Sequence, residues 1–314
     1  MTNSVLHPKV SVIIPVYNTE AFVKEAITSI MRQTLSEIEI IIINDGSTDK
    51  SLQIINHLAE QDQRIKVYSQ NNQGLSSTRN RGIKLASGSY IYFMDSDDFL
   101  ESKALEACLT KCETYNLDFV FFDADFINLN EKTDIGIRYN RKQYTDETSI
   151  YKGIDILNSQ LDKRCYNPTV WLNFIQTDYI RKNNLSFLPG IIHEDQLFTC
   201  LLYLQADRVM SIHKNFFKRR LRENSIMKQH FSKKNMQCYF IVSDHLIRFA
   251  SENPIVRNTI DKYLFQMLNT AAWLSYKLPW EDRWFIANQY LRKYKRYISV
   301  RNLLILLFKR LITA

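Results

Sequence analysis

Residues 90–98 read Tyr-Ile-Tyr-Phe-Met-Asp-Ser-Asp-Asp (YIYFMDSDD). The aromatic and aliphatic run Tyr90 to Met94 follows Gly88-Ser89 and closes on three carboxylates, Asp95, Asp97 and Asp98. A short run of this kind predicts a buried strand. Such a strand carries negative charge to the carboxyl edge of a sheet, where open α/β sheets bind ligands. Two carboxylates one residue apart can share a divalent ion, and Mg²⁺ or Mn²⁺ takes oxygen ligands together with substrate phosphates. The same residues also suit a solvated turn capping a helix near Glu101, because Asp and Ser are good caps. Local pattern alone leaves the two readings level.

Working outward, Val10 to Val16 is a continuous apolar run, the pattern of a buried parallel strand. A helix follows from near Glu20, with Phe22, Val23, Ala26, Ile27, Ile30 and Met31 at helical spacing. Ile38 to Ile43 is a second strand, and a helix from Asp49 carries Leu52, Ile54, Ile55 and Leu58. Ile65 to Ser69 is a third strand, followed by a polar turn and a helix from Leu75 to Ala86. After the opening stretch come a helix from about Glu101 to Tyr115 and a strand from Phe119 to Phe122. This alternation predicts an α/β protein with a doubly wound, mostly parallel sheet flanked by helices. Neither GxGxxG nor GxxxxGK[ST] occurs, so any nucleotide must be held by side chains and a metal rather than a glycine cradle.

Asp123 to Ser149 is polar and predicts a loop with short strands. Helical segments are expected at 153–161, 170–174, 177–183 and 194–204, and strands at 209–213 and 216–221. From Lys233 the chain reads as helices only, so the expected division is an α/β domain at 1–230 and a helical region at 231–314.

The 314 residues, 45% hydrophobic and 24% charged, are those of an ordinary globular protein and exclude disorder. Cys108, Cys112, Cys165, Cys200 and Cys238 form no CxxC pair, which predicts reduced thiols of a cytoplasmic protein and no zinc site. No signal peptide is expected, since the Val10 to Val16 run is short and followed by polar residues. The net charge of +8 is concentrated at one end. Arg283, Arg292, Lys293, Lys295, Arg296, Arg301, Lys309 and Arg310 meet no acid beyond Asp282, and the rest of the chain is balanced at 33 basic and 33 acidic residues. A uniformly basic protein would predict nucleic acid; a basic tail rich in Tyr, Leu and Ile predicts peripheral contact with an anionic membrane. An appendage packed on the core and a homodimer seam are the other readings of its two apolar faces. Those faces are Trp284, Ala287, Leu291, Tyr294 and Ile298, then Val300, Leu304, Leu307 and Leu311.

Five segments occur in a telling order: KVSVIIPVYNTEAFVKEAITSIMRQT (9–34), IIIINDGSTD (40–49), NNQGLSSTRNRGI (71–83), GSYIYFMDSDDFL (88–100) and HEDQLF (193–198). Together they resemble glycosyltransferase family 2, the inverting group with the GT-A fold, over residues 9 to about 225. The resemblance implies a GT-A-like sheet with a helical C-terminal appendage. It implies that Pro15, Val16 and Tyr17 form the wall that holds the nucleotide. Glu20 is read either as a helix-start acid or as a nucleotide contact. Asp45 is implied to accept the imide N–H of uracil, beside its own capacity for a turn before Gly46. Arg79 is the residue type that binds a diphosphate, with a surface ion pair as the bland reading; Arg81 is expected to point elsewhere. Asp95-Ser96-Asp97 matches the family's DxD motif, with Asp97 on a metal that bridges the diphosphate, Asp95 on the ribose or metal, and Ser96 on the nucleotide side. Asp98 is read as the cap of the next helix.

Asp123-Ala124-Asp125 is a second DxD, a decoy in which Asp125 can at most touch donor sugar or acceptor. Glu194-Asp195 either exploits the positive end of a helix or, as the resemblance implies, supplies Asp195 as the base that deprotonates an acceptor hydroxyl. His193 is an alternative base by chemistry alone. Trp171 is read equally as a sugar platform and as core. Arg220 and Arg222 are diphosphate or acceptor contacts, or a solvated basic strand. The expectation is a metal-dependent transferase, using Mn²⁺ or Mg²⁺, that moves a sugar from a UDP-sugar to a free or lipid-linked glycan. It would work in surface polysaccharide synthesis at the inner face of the cell membrane. A non-catalytic scaffold and a nucleotidyltransferase are the rivals; the second needs a Gly-rich basic loop where this chain has PVYNTE.

Overall fold

The computed structural model describes residues 7–127, 139–221 and 231–312. In chain order the elements are β1 (Val10–Val16), α1 (Val23–Met31), β2 (Ile38–Asp45), α2 (Ser51–Gln61), β3 (Ile65–Gln70), α3 (Leu75–Leu85), β4 (Tyr90–Phe93), β5 (Phe99–Leu100), α4 (Ala104–Tyr115) and β6 (Phe119–Ile127). Then follow α5 (Gly153–Asp162), β7 (Asn173–Gln176), α6 (Thr177–Lys182), α7 (Glu194–Gln205), β8 (Val209–Arg220), α8 (Lys233–Glu252), α9 (Arg257–Leu274), α10 (Trp280–Arg292) and α11 (Val300–Ile312).

Eight strands form one sheet in the order β3-β2-β1-β4-β7-β6-β8-β5. The first four in that order are parallel. Strand β7 then runs antiparallel to both β4 and β6, β8 is parallel to β6, and β5 is antiparallel to β8. Every residue of β1 and β2 is buried, as a strand covered on both faces requires. Pro15 is accommodated because the β4 ladder ends at Ile13↔Phe93. The Ile13 C=O accepts from the Met94 N–H, so Pro15, of the same parity, faces the side where no ladder bond remains to be lost. Gly82 lets α3 pack directly on β1, since a Cβ there would lie 2.3 Å from Ile13 Cγ2.

The alternation predicted for the first half is present; α3 starts at Leu75 as expected, and α1, α2 and α4 start two or three residues later than expected. Three expectations are corrected. Residues 170–174 are no helix: Val170–Leu172 is a single 3₁₀ turn and Asn173 begins β7. The predicted pair of strands at 209–221 is one continuous strand, whose pairing with β6 is shifted between Phe122 and Ala124. The strand at 119 runs on to Ile127, so the second DxD lies within it. A short apolar run cannot tell a strand from a buried turn, and a register shift leaves no periodic mark in sequence.

The chain divides into two compact units, Met1–Gly190 with Phe198–Leu221, and Ile191–Leu197 with Arg222–Ala314. The first contains the sheet; the second contains α8 to α11 and the first residues of α7. All five cysteines are free thiols. No helix among the described residues is long and apolar enough to cross a membrane.

Candidate active site

The carboxyl ends of β1, β2 and β4 meet at one edge of the sheet, because the three strands are parallel and adjacent. Val16 is buried, while Tyr17, the next residue, is half exposed at the edge. The loop beyond it is knitted to the start of α2. Asn18 N–H donates to Ser47 Oγ and Thr48 N–H to Asn18 Oδ1. Thr19 N–H donates to Ser51 Oγ. Glu20 takes part in the same seam, with its carboxylate accepting the Lys50 N–H at 2.8 Å and its own N–H donating to Asp49.

Asp45, the last residue of β2, is buried. Its Oδ1 accepts from Gln70 Nε2 at 2.8 Å and from the Gln73 N–H at 2.9 Å, and its Oδ2 accepts from the Gly74 N–H at 2.9 Å. The carboxylate therefore shapes the turn that launches α3, in which Gly74 sits at φ +84°. That is more than a local Asx turn, since the partners lie 25 residues or more along the chain.

Helix α3 brings Arg79 to the edge. Arg79 is 2% exposed, which removes the surface-pair reading. Its guanidinium donates to Asp95 Oδ1 at 2.9 Å and lies over the Phe187 ring. Arg81 points elsewhere, as expected, and donates to the Ser69 carbonyl and Gln70 Oε1.

Asp95, Asp97 and Asp98 then gather, with one carboxylate oxygen of each lying within 4.8 Å of the others. Ser96 is turned the other way and accepts from the Thr19 hydroxyl at 3.1 Å. Asp98 caps no helix. It is 4% exposed, its Oδ1 accepts the Arg220 N–H at 2.6 Å, and α4 starts only at Ala104 with Lys103 as its cap residue. The two-residue strand β5 intervenes and pairs with β8, and that pairing brings the end of β8 to Asp98. Burial first, and then the charges of Asp97 and Asp95, push the Asp98 carboxyl up to about 8, against the pull of the Arg220 N–H and the Arg219 charge. Three oxygen donors crowded until one resists ionisation are a donor set that suits a hard divalent cation.

Arg220 is a fastener for this cluster. Beside its N–H, its Nε donates to the Asp97 carbonyl at 3.1 Å, and the guanidinium reaches Glu25 and lies over Phe22. Arg222 lies outside the described residues.

Other sequence candidates fall away from the cluster. Asp125 accepts from Asn215 and Lys218, and Lys218 also pairs with Glu101. Asp123 is buried in an ion pair with Arg141, whose N–H and Nε both donate to it. Trp171 is core: it is 3% exposed and stacked on Phe217 with ring centroids 4.1 Å apart.

Asp195 and Glu194 open α7 within the second unit, Glu194 buried and Asp195 half-buried. In that unit the basic tail is partly spent internally. Arg283 is buried and donates to the Leu306 and Leu307 carbonyls, Lys293 pairs with Asp244 and Arg296 with Asp261. The predicted apolar faces divide: Ala287 and Tyr294 are buried, whereas Trp284, Leu291, Val300 and Leu304 are exposed.

Sequence reasoning missed Asp98 as a member of the cluster and Glu25 as the partner of Arg220. The DSDD spacing was a signal for the first. Nothing local signals the second, since the pair is 195 positions apart.

The model of the family described as glycosyl transferase family 2 matches residues 11–163. The uncharacterized glycosyltransferase YibD of Escherichia coli is 34% identical over 223 residues, 71% of this chain and 64% of that one. The putative glycosyltransferase EpsH of Bacillus subtilis is 31% identical over 260 residues, 82% of this chain and 72% of that one. The matched stretch thus spans less than two thirds of some relatives, YibD among them. Among solved structures, S. aureus TarS 1–349 in complex with UDP-GlcNAc superposes with a TM-score of 0.64 at 18% identity, covering 94% of this chain and 89% of that one. The likeness establishes a shared GT-A-like fold.

Proposed function

The chain belongs to glycosyl transferase family 2, and on that premise we propose that it moves a sugar from a nucleotide-diphospho-sugar to a hydroxyl of a glycan, with inversion. The observation that carries this reading is the cluster of Asp95, Asp97 and Asp98 at the carboxyl edge of the sheet, with Arg79 tied to its first member. These acids would hold a divalent cation, Mn²⁺ or Mg²⁺, which when bound supplies positive charge to the departing diphosphate. Tyr17 offers an exposed ring on which a base can stack, and Asp45 a carboxylate for its imide N–H. UDP is the favoured carrier, supported by the UDP-GlcNAc that TarS, a protein of like fold, binds.

Asp195 takes the proton of the acceptor hydroxyl as that oxygen attacks the anomeric carbon. The new bond joins acceptor oxygen to anomeric carbon. The bond to the phosphate oxygen breaks, and its electron pair leaves on the diphosphate. One displacement needs no covalent intermediate, so one carboxylate suffices. The division of labour at 1–230 and 231–314, and action at the inner face of the cell membrane on lipid-linked glycan in surface polysaccharide synthesis, are part of this proposal. What favours the membrane is the exposed stripe Val300 and Leu304 on α11 beside exposed Arg301.

The test is release of nucleoside diphosphate from a panel of UDP-, GDP- and dTDP-sugars with Mn²⁺, with and without a lipid-linked glycan mixture. UDP release that stops on chelation supports the reading; formation of nucleoside triphosphate and sugar 1-phosphate when pyrophosphate is added to the same donors would assign a nucleotidyltransferase, and silence with every donor a scaffold. For the tail, Leu304→Glu is expected to reduce sedimentation with anionic vesicles. Equal sedimentation would remove membrane contact, and a loss of self-association on ultracentrifugation would replace it with a dimer seam.

A further inference from the structure

The turn that carries Asp195 is fastened to the C-terminal helices through a histidine. His193 sits at φ +69°, in the left-handed region that His tolerates better than most residues. Its carbonyl accepts the Gln196 N–H, the bond that closes the first turn of α7. Its ring lies on that of Tyr239, with centroids 4.5 Å apart and planes at 15°. Its Nε2 is 3.0 Å from Asn235 Nδ2.

The roles in that last bond can be assigned. Asn235 Oδ1 accepts both the N–H and the hydroxyl of Ser232, at 2.8 and 2.6 Å, as part of the capping box that starts α8. The end of the amide turned toward His193 is therefore its NH₂ group, which donates, and Nε2 accepts. The imidazole is neutral, with its proton on Nδ1, and burial also disfavours the charged form. A lone pair committed to Asn235 is not available to deprotonate an acceptor, so His193 is not the base.

Flanking contacts hold the same segment. The Ile192 N–H donates to Cys238 Sγ at 3.4 Å, and the Tyr263 hydroxyl donates to Gln196 Oε1, with the Gln196 carbonyl 3.2 Å away. Residues on both sides of Glu194-Asp195 are thus gripped by α8 and α9.

We propose that His193 is a positioning residue for Asp195. Clamped by Asn235 and Tyr239 of α8, it sets the left-handed turn from which α7 presents the carboxylate. This rests on the reading of Asp195 as the base.

The experiment uses the full chain, Mn²⁺, the donors UDP-GlcNAc, UDP-glucose and UDP-galactose, and water as acceptor. UDP release is measured per UDP-binding site, counted by titration with UDP, so that loss of folded protein is divided out. His193→Ala is expected to lower kcat by about 10–100-fold while the Kd for UDP stays within about twofold. His193→Asn, which tolerates the left-handed turn but gives up the stack on Tyr239, should recover only part of the rate. In an Asp195→Asn background, His193→Ala should change the residual rate by less than about twofold, because both act through one group. An unchanged kcat per site in His193→Ala, or a further tenfold or so fall in the Asp195→Asn background, overturns the proposal. If His193→Ala does not fold, Tyr239→Leu, which removes only the stack, carries the same comparison. Asp195→Asn turning over at the wild-type rate would overturn the base itself, whereas an inactive Asp195→Asn beside a normal His193→Ala would overturn only the clamp. A wild-type chain that releases UDP from none of the donors overturns both.

Discussion

Two buried carboxylates stand at opposite edges of the sheet, Glu39 near the amino end of β2 and Asp98 beyond the carboxyl end of β4, and they are 3% and 4% exposed. Glu39 is saturated with donors. Its Oε1 accepts from the Ser11 hydroxyl, the Ser87 N–H and the Ser87 hydroxyl, at 2.6, 2.7 and 2.7 Å, and its Oε2 accepts from Lys66 Nζ at 2.7 Å. Burial opposes its charge, but Lys66, Ser11 and Ser87 outweigh it and bring the carboxyl down to about 2. Asp98 has Arg220 as a donor but Asp95 and Asp97 as neighbours, and it is driven up to about 8. Burial raises both carboxyls; the donors around Glu39 overcome it, whereas the acids beside Asp98 add to it. One edge ties the sheet together; the other crowds three acids until one of them resists ionisation.

The largest effect that would break this comparison belongs to Asp97→Ala. It should abolish Mn²⁺-dependent donor binding and lower UDP release by at least about 100-fold, measured by calorimetry and turnover; intact Mn²⁺-dependent binding would move the metal elsewhere. Glu39→Gln tests the other edge. A folded-state carboxyl depressed from 4.5 to about 2 stabilises the protein above pH 4.5, and that stability drains away as pH falls toward 2. The substitution should cost about 3 kcal/mol near neutrality and flatten the acid limb of a urea-denaturation series, with UDP affinity unchanged. An acid limb like that of the wild type would show the knot to be idle.

Asp98→Asn sharpens the contrast because its sign is reversed. The amide oxygen can still accept from Arg220 and the side chain no longer has to give up a charge on folding, so the metal-free protein should gain on the order of 1 kcal/mol in thermal denaturation while losing response to Mn²⁺. Destabilisation would mean that Arg220 and Arg219 already balance the charge. The smallest effect is expected of Asp125→Ala, less than about twofold in UDP release, since its partners are Asn215 and Lys218 and not the acid cluster. A large loss would restore the second DxD to the site.

Much of the first unit was legible in sequence because its pattern is local. The apolar runs at 10–16 and 38–43 are strands since both faces are buried, and a strand buried on both sides is predominantly apolar. The Asp95 and Asp97 candidates follow from a strand ending in carboxylates. Glu39 was not legible: a lone acid inside an apolar strand has no signature, and its donors come from positions 11, 66 and 87. Asp98 was misassigned for a related reason, since helix caps and cluster members share the same residue types and only the pairing of β5 with β8 separates them. Trp171 could be placed only once Phe217 was known to lie against it.

By itself the sequence determined the alternation of strand and helix, the acid-tipped fourth strand, the ordered motifs of the family and the charge asymmetry of the tail. All of these are properties of neighbours within a few positions. Tertiary structure alone decided which acids gather and which are neutralised, that Arg79 is buried against Asp95, and that residues 191–197 belong with the C-terminal helices. Charge and hydrogen bonding act through space over a few ångströms, and the partners that set them here are separated by tens to nearly two hundred residues of chain.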